Sequence, residues 1–278
     1  MKILVLGAGG MAGHMIYEYF QRYSVHDTFG TVLHTYPQFA SPVTNHIIRL
    51  DVRDTLRVQT LIAVIRPDVV INAVGILPAV ANREVATAIR INALFPHELV
   101  EICNEYDCRL IHISTDCVFD GTTGMYAERD LPNAYTVYGR TKALGEIMDG
   151  PHLTIRTSIV GPEQKNEGTG LLAWFLRQQG TVSGFRNAFW NGVTTLQLAK
   201  TINWALTRPI SGLVHLTGPH PISKYDLLCM FQKTWYQSGR EIVAVEEPRI
   251  NRTLRNTRAD FHPDVPSYAE MIDDLAHW

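Results

Sequence analysis

The stretch that most restricts the fold is "KILVLGAGGMAGHMIYEYFQRY", residues 2–23. An apolar run stops at Gly7, glycines fill the turn, and apolar residues then return at helical spacing. Strand, tight turn and helix, in that order, is the setting in which a glycine-rich turn marks a dinucleotide site. Gly7 permits the turn, Gly10 lets the backbone approach a pyrophosphate, and Gly13 lets the helix lie close to the strand. Met11 and Ala12 stand at the helix start, where unpaired amides face an anion. A glycine turn without a ligand is the alternative, and the position of this turn at the head of an alternating chain counts against it.

The alternation continues. "DTFGTVLHT", "HIIRLDV", "DVVINAVG" and "RLIHISTD" read as strands, with helices in "TLRVQTLIAVIRP" and "VATAIRINALFPHELVEICNEYD" between them. Near-continuous apolar strands separated by helices predict a doubly wound parallel α/β sheet of the Rossmann type, covered on both faces. "LTIRTSIVG" is expected to be the last strand of that sheet. Residues 1–160 are assigned to the dinucleotide-binding domain. Residues 161–278 are assigned to a smaller, interleaved substrate lobe whose segments return to the first domain.

A chain of 278 residues with 46% hydrophobic and 19% charged residues is of ordinary globular composition. Its net charge of -2 offers no electrostatic footprint for nucleic acid or anionic lipid. No apolar run reaches the length of a spanning helix, and glycines interrupt the start too early for a signal peptide, so a cytoplasmic protein without membrane partners is expected. Cys103, Cys108, Cys117 and Cys229 lack paired CxxC spacing, so reduced cysteines and no metal site are expected.

Open parallel sheets bind ligands outside the carboxyl ends of their strands. Those ends bring forward Asp51 and Val52, then Asn72, Ala73, Val74 and Gly75, then Ser114. Asp51 is suited to accept from an adenine amine, and Ala73 and Gly75 let a ribose lie against backbone. The segment "TVLHTYPQF", where an NAD site usually offers an acid to the ribose, has none. His34 and His14 are placed to meet a 2'-phosphate or else are solvated surface residues; NADP(H) is therefore favoured over NAD(H).

In "AYTVYGRTKALGE", Tyr138 precedes Lys142 by one helical turn, so the two share a face. An ammonium beside a phenol stabilises the phenolate, which makes the pair a usable proton donor. Thr115, at the end of "RLIHISTD", can hydrogen-bond the same substrate oxygen.

The chain resembles the extended short-chain dehydrogenase/reductases, and among them the dTDP-4-dehydrorhamnose reductase group. "GAGGMAG", "LDVRD", "VINAVG", "INALFP", "HISTDCVFDG", "YGRTKALGE" and "IRTSIVG" carry the resemblance, in that order and across nearly the whole chain. It implies that Tyr138 is the general acid, that Lys142 orients the nicotinamide ribose, and that Thr115 helps bind the keto oxygen. It also implies a cofactor role for Asn92 and Ser114 and a substrate-side role for Asp116 and Val118. The reaction implied is reduction at C4 of a nucleotide-activated 4-keto-6-deoxyhexose for bacterial surface sugars; a homodimer is common in the family. Two departures, Ile159 in place of an aromatic residue and "NGVTT" in place of a proline-containing motif, open the sugar pocket to other substrates.

On the substrate side Arg186, Trp190, Asn191, Arg252 and Arg255 are candidates. Arginines clamp pyrophosphates and tryptophan stacks on bases or sugars. The alternatives are a packed core position for Trp190 and a solvated basic loop for Arg252 and Arg255. Two other functions share this fold: an epimerase or dehydratase that retains NAD, and a non-catalytic regulatory subunit such as that of methionine adenosyltransferase.

Overall fold

Lys2–Leu6, strand β1, buries Ile3 and Val5 toward one layer and Leu4 and Leu6 toward the other. A strand apolar on both faces needs cover on both, and the rest of the chain supplies it. The computed structural model describes residues 1–34, 46–164, 168–235 and 239–278. After β1 come α1 (Met11–Tyr23), β2 (Asp27–Val32), β3 (Ile47–Arg49), α2 (Thr55–Ile65) and β4 (Val69–Asn72). There follow α3 (Pro78–Ala81), α4 (Val85–Ala88), α5 (Phe95–Glu105), β5 (Arg109–Thr115), α6 (Val137–Leu144) and β6 (Leu153–Thr157).

The second half contributes β7 (Ile159–Val160), α7 (Leu171–Arg177), β8 (Gly180–Phe185), β9 (Ala188–Trp190), β10 (Val193–Thr194) and α8 (Thr195–Leu206). It ends with β11 (Gly212–His215), β12 (Ile222–Ser223), α9 (Lys224–Thr234), β13 (Arg240–Val245), β14 (Ile250–Asn251) and α10 (Tyr268–Ala276).

Seven strands form one parallel sheet in the order β11-β6-β5-β4-β1-β2-β3. The order reverses between β1 and β4, which is the switch point where such sheets open a crevice. On one face α1, α8 and α10 pack together; α2 and α5 cover the other. The expected Rossmann fold is present. One element differs: "LTIRTSIVG" is not the sheet's last strand, because β11 from the second half pairs along the outer edge of β6. Leu213, Val214 and Leu216 are buried there, and β6 offers the edge along which β11 pairs.

The smaller sheets are β8 with β13, β9 with β12 and β14, and β7 with β10. The long helical segment before β5 is α4 and α5 joined by a π-helical turn, Ile89–Leu94. Such turns re-aim side chains and cluster at functional sites. Here the turn aims Asn92 at the loop after β4. Among the described residues no helix is long and apolar enough to cross a membrane.

Candidate active site

A cavity of about 590 Å³ opens at the carboxyl ends of β1, β4, β5 and β6. Its walls are the glycine turn and first residues of α1, the loop 73–78, the end of β5 through Cys117, and the α6 residues Tyr138 and Lys142. Residues 157–159, Glu163, Gln164 and Gly170 close the remaining side.

The glycine turn has the shape a pyrophosphate needs. Gly7 adopts φ 85°, a region costly for side-chain-bearing residues. A Cβ on Gly13 would lie 2.1 Å from the Gly7 oxygen, so only glycine lets α1 approach the turn. At Gly10 the nearest atom to a Cβ would be 3.4 Å away, leaving backbone open to the cavity. The α1 N-terminus has no side-chain cap and no acid in its first turn. Its partial positive charge is therefore uncompensated, which suits an anion. These residues fit a dinucleotide.

Opposite the turn, the Thr115 side chain caps the one-turn helix Asp116–Val118, accepting from Cys117 N at 3.1 Å. Thr136 caps α6 through Gly139 N, and this fixes where Tyr138 emerges. Burial pushes the Tyr138 phenol above its ordinary range, and the neighbouring Thr115 hydroxyl opposes that; Thr115 itself donates to Asp116 Oδ1 at 3.2 Å. Lys142 is buried and donates to the Ile113 carbonyl at 2.8 Å, with His112 Nε2 at 3.3 Å. Burial lowers its pKa to about 8, against the charge of Glu146. Asp116, on the same cavity wall, adds to the rise at Tyr138. Burial also raises the Asp116 carboxyl, with Lys224 and Arg252 pulling it down, and pushes the Cys117 thiol up to about 12.

Behind the cavity lies a buried polar chain. Ser114 Oγ donates to Glu146 Oε1 at 2.7 Å, and Glu146 holds Arg156 at 2.6 and 2.7 Å. Arg156 Nη1 donates to His215 Nε2 at 3.3 Å, which leaves Nδ1 of His215 to donate to the Arg255 carbonyl.

The structure gathers Gly10, Met11, Ala12, Ala73, Val74, Gly75, Ser114, Thr115, Asp116, Tyr138 and Lys142 around this cavity. Several candidates lie elsewhere. His34 is exposed at the end of the described β2 segment, and residues 35–39 of "TVLHTYPQF" fall outside the described residues. Asp51 is held by Arg53 through three contacts of 2.6–3.0 Å, and Val52 is core. His14 is buried, its ring bonded to the Gly10 carbonyl at 2.9 Å. Asn72 faces His112, while Asn92 binds both polar backbone atoms of Ile76 and the hydroxyl of Thr141.

On the substrate side Val118 is wholly buried and Trp190 packs on Tyr268 at 5.6 Å. Asn191 clamps the backbone of Leu254 from both sides. Arg252 donates to the carbonyls of Phe119 and Asp120. Arg186 is exposed over the Tyr225 ring at 4.6 Å, and Arg255 is exposed. The sequence reading missed Lys224, whose ammonium lies 5.3 Å over Trp190 with its pKa lowered to about 8 by burial, against Asp116 and Cys117. It also missed Glu163, which accepts from Gly170 N at 2.6 Å beside the glycine turn. No local motif flags either residue; the dipeptide "SK" merely opens a helix.

A probable low-salt glycan biosynthesis reductase of Haloferax volcanii is 35% identical over 150 residues, 52% of this chain and 48% of that one. The alignment thus spans about half of each protein. Methionine adenosyltransferase 2 subunit beta of Xenopus tropicalis is 24% identical over 268 residues, 91% of this chain and 78% of that one. The crystal structure of dTDP-4-dehydrorhamnose reductase from Bacillus anthracis, in complex with NADP, superposes with TM-score 0.81 at 18% identity, covering 99% of this chain and 98% of the other. Residues 1–259 match the RmlD substrate binding domain, and the chain belongs to that family.

Proposed function

We propose that the protein is a cytoplasmic NADPH-dependent reductase of the C4 keto group of a nucleotide-activated 4-keto-6-deoxy sugar, serving surface polysaccharide synthesis. The observation that carries this reading is the convergence of Thr115, Tyr138 and Lys142 on the cavity that the glycine turn also lines. A nicotinamide cofactor held in this cavity would supply the hydride for the keto carbon. Tyr138 and Thr115, which line the same cavity, present two donors to the oxygen on which negative charge then builds. Burial keeps the phenol protonated until that stronger base appears. Glycines at 7, 10 and 13 and the α1 amides hold the pyrophosphate, and the loop 73–78 lies where the adjoining ribose is expected.

NADP is favoured over NAD by charge. No acid occurs in the sequence between Asp27 and Asp51. Arg49 reaches the Leu33 carbonyl beside exposed His34, at the end of β2 where a 2'-phosphate belongs. The Bacillus anthracis relative that binds NADP supports the same choice.

The test is oxidation of NADPH against NADH at 340 nm with UDP- and dTDP-linked 4-keto-6-deoxy sugars made in place by a dehydratase. Turnover that disappears in Tyr138→Phe while cofactor binding persists is expected. A variant that keeps most of its rate overturns the assignment. The alignment with the methionine adenosyltransferase subunit favours a second reading, a regulatory subunit that binds a dinucleotide without turning it over. Tight cofactor binding, no turnover with any sugar and co-purification with a larger enzyme would establish that reading instead.

A further inference from the structure

The end of α5 brings two thiols together. Tyr106 N–H closes the last helical turn on the Ile102 carbonyl at 3.1 Å, and Asp107 then enters the left-handed region at φ 54°. Cys108 N–H is thereby turned back to donate to the Cys103 carbonyl at 2.9 Å. A helix that ends in this way sets the side chain beyond its left-handed residue against one in its last turn, commonly as an apolar contact. Here those two side chains are Cys103 and Cys108, both buried and both free thiols. Each is the largest influence on the other's proton. Cys108 pushes the Cys103 thiol up, together with burial, while Cys103 draws Cys108 down against burial and the Asp107 carboxylate.

The pair lies away from the site described above. β5 begins at Arg109, so these thiols stand at the amino end of the sheet, whereas the cavity with Tyr138 opens at the carboxyl ends. A separate cavity of about 270 Å³ reaches them, lined by Cys103, Asn104, Asp107, Cys108, Arg109 and Pro151. Asn104, Asp107 and Pro151 are exposed, which opens this cavity to solvent. A trace of exposure remains at Cys108 and none at Cys103.

We propose that Cys103 and Cys108 form a redox-active dithiol, which a low-molecular-weight disulfide entering this second cavity converts to an intramolecular disulfide. The Cys108 thiolate attacks one sulfur of the incoming disulfide, forming a mixed disulfide and releasing one small thiolate. Cys103 gives its proton to that thiolate, attacks Sγ of Cys108, closes the bond between the two cysteines and expels the second small thiolate. The proton lost by Cys108 completes the second small thiol. Two protein thiols are thus oxidised, and one disulfide is reduced to two thiols. A dithiol that rests reduced and oxidises transiently suits a protein of the cytoplasm. Cys117, pushed up to about 12 by burial, and Cys229, also raised by burial, are poorer nucleophiles and serve as internal comparisons. Nothing in this chemistry depends on NADPH or on a sugar.

The test is incubation of the folded full chain with glutathione disulfide or hydroxyethyl disulfide, then acid quenching, alkylation and peptide mapping by mass spectrometry. The segment carrying Cys103 and Cys108 is expected to lose two hydrogens and both alkylatable thiols, with unchanged circular dichroism, and reduced glutathione should restore them. Cys103→Ser should stop at a mixed disulfide on Cys108, and Cys108→Ser should form neither product. Thiols that stay alkylatable after both oxidants, a mixed disulfide that persists in the parent chain, or a bond that forms only in urea overturns the proposal. If a variant does not fold, the peptide map of the parent chain alone decides.

Discussion

Arg156 and Glu146 form a bidentate ion pair within the core, Nε to Oε1 at 2.6 Å and Nη2 to Oε2 at 2.7 Å, both side chains almost wholly buried. Ser114, the neighbour of Thr115, shares the same carboxylate. Removing one partner strands the other charge in a medium of low polarity. Glu146→Gln should therefore cost about 3–5 kcal/mol of unfolding free energy, while Glu146→Leu with Arg156→Met should cost less. Urea denaturation of the single and double variants checks this, and equal losses would mean that the pair is solvated.

Gly13→Ala places a methyl 2.1 Å from a backbone oxygen of the turn, where no side chain can yield. A loss of at least about 1–3 kcal/mol is expected, with weaker cofactor binding as α1 moves outward. Calorimetric titration with NADPH and thermal melts read the two effects, and a variant as stable as the parent would show that α1 does not depend on this approach.

His215 gives the stability a pH dependence. Burial lowers its pKa to about 4, Arg156 adds to this, and Glu128 opposes it. Between about 6.5 and 4 the unfolded chain binds a proton that the folded chain refuses, so the contribution is complete above 6.5 and is lost as pH falls through 4. Its size is on the order of 3 kcal/mol. Chemical denaturation at pH 7, 5.5 and 4 should show the decline, and His215→Gln should flatten it; an equally steep decline in the variant would move the origin elsewhere.

Lys224→Met tests the substrate side. The ammonium lies over Trp190 and interacts with Asp116 on the cavity wall. A hydrogen bond from a charged group is worth about 1.5–3 kcal/mol, so KM for the sugar nucleotide should rise roughly tenfold or more while NADPH affinity stays unchanged. Unchanged KM would leave Lys224 a packing residue.

Local pattern made much of the fold legible. β1, α1 and α2 announce themselves through apolar periodicity and fall where it predicts. Tyr138, Lys142 and Thr115 could be grouped because a strand end and the following helix of a parallel sheet are neighbours by construction. The arginines were harder. Arg252 reads in sequence as a phosphate clamp or, somewhat more readily, as a loop residue, whereas its guanidinium donates to two carbonyls, at 119 and 120, of a distant segment. Asn191 is likewise claimed by the backbone of Leu254. Lys224 and His112 gain meaning only from partners far away in sequence, on elements that no spacing rule connects.

The pairing of β11 with β6 also constrains how the chain can be made. Synthesis delivers β6 long before Gly212–His215 exists to cover its outer edge. Until then the growing Rossmann half presents a row of unpaired amides and carbonyls, the kind of border along which polypeptides associate wrongly. A nascent chain halted between these two strands should therefore be the species most in need of a chaperone, and sealing of the sheet must await the second half of the protein.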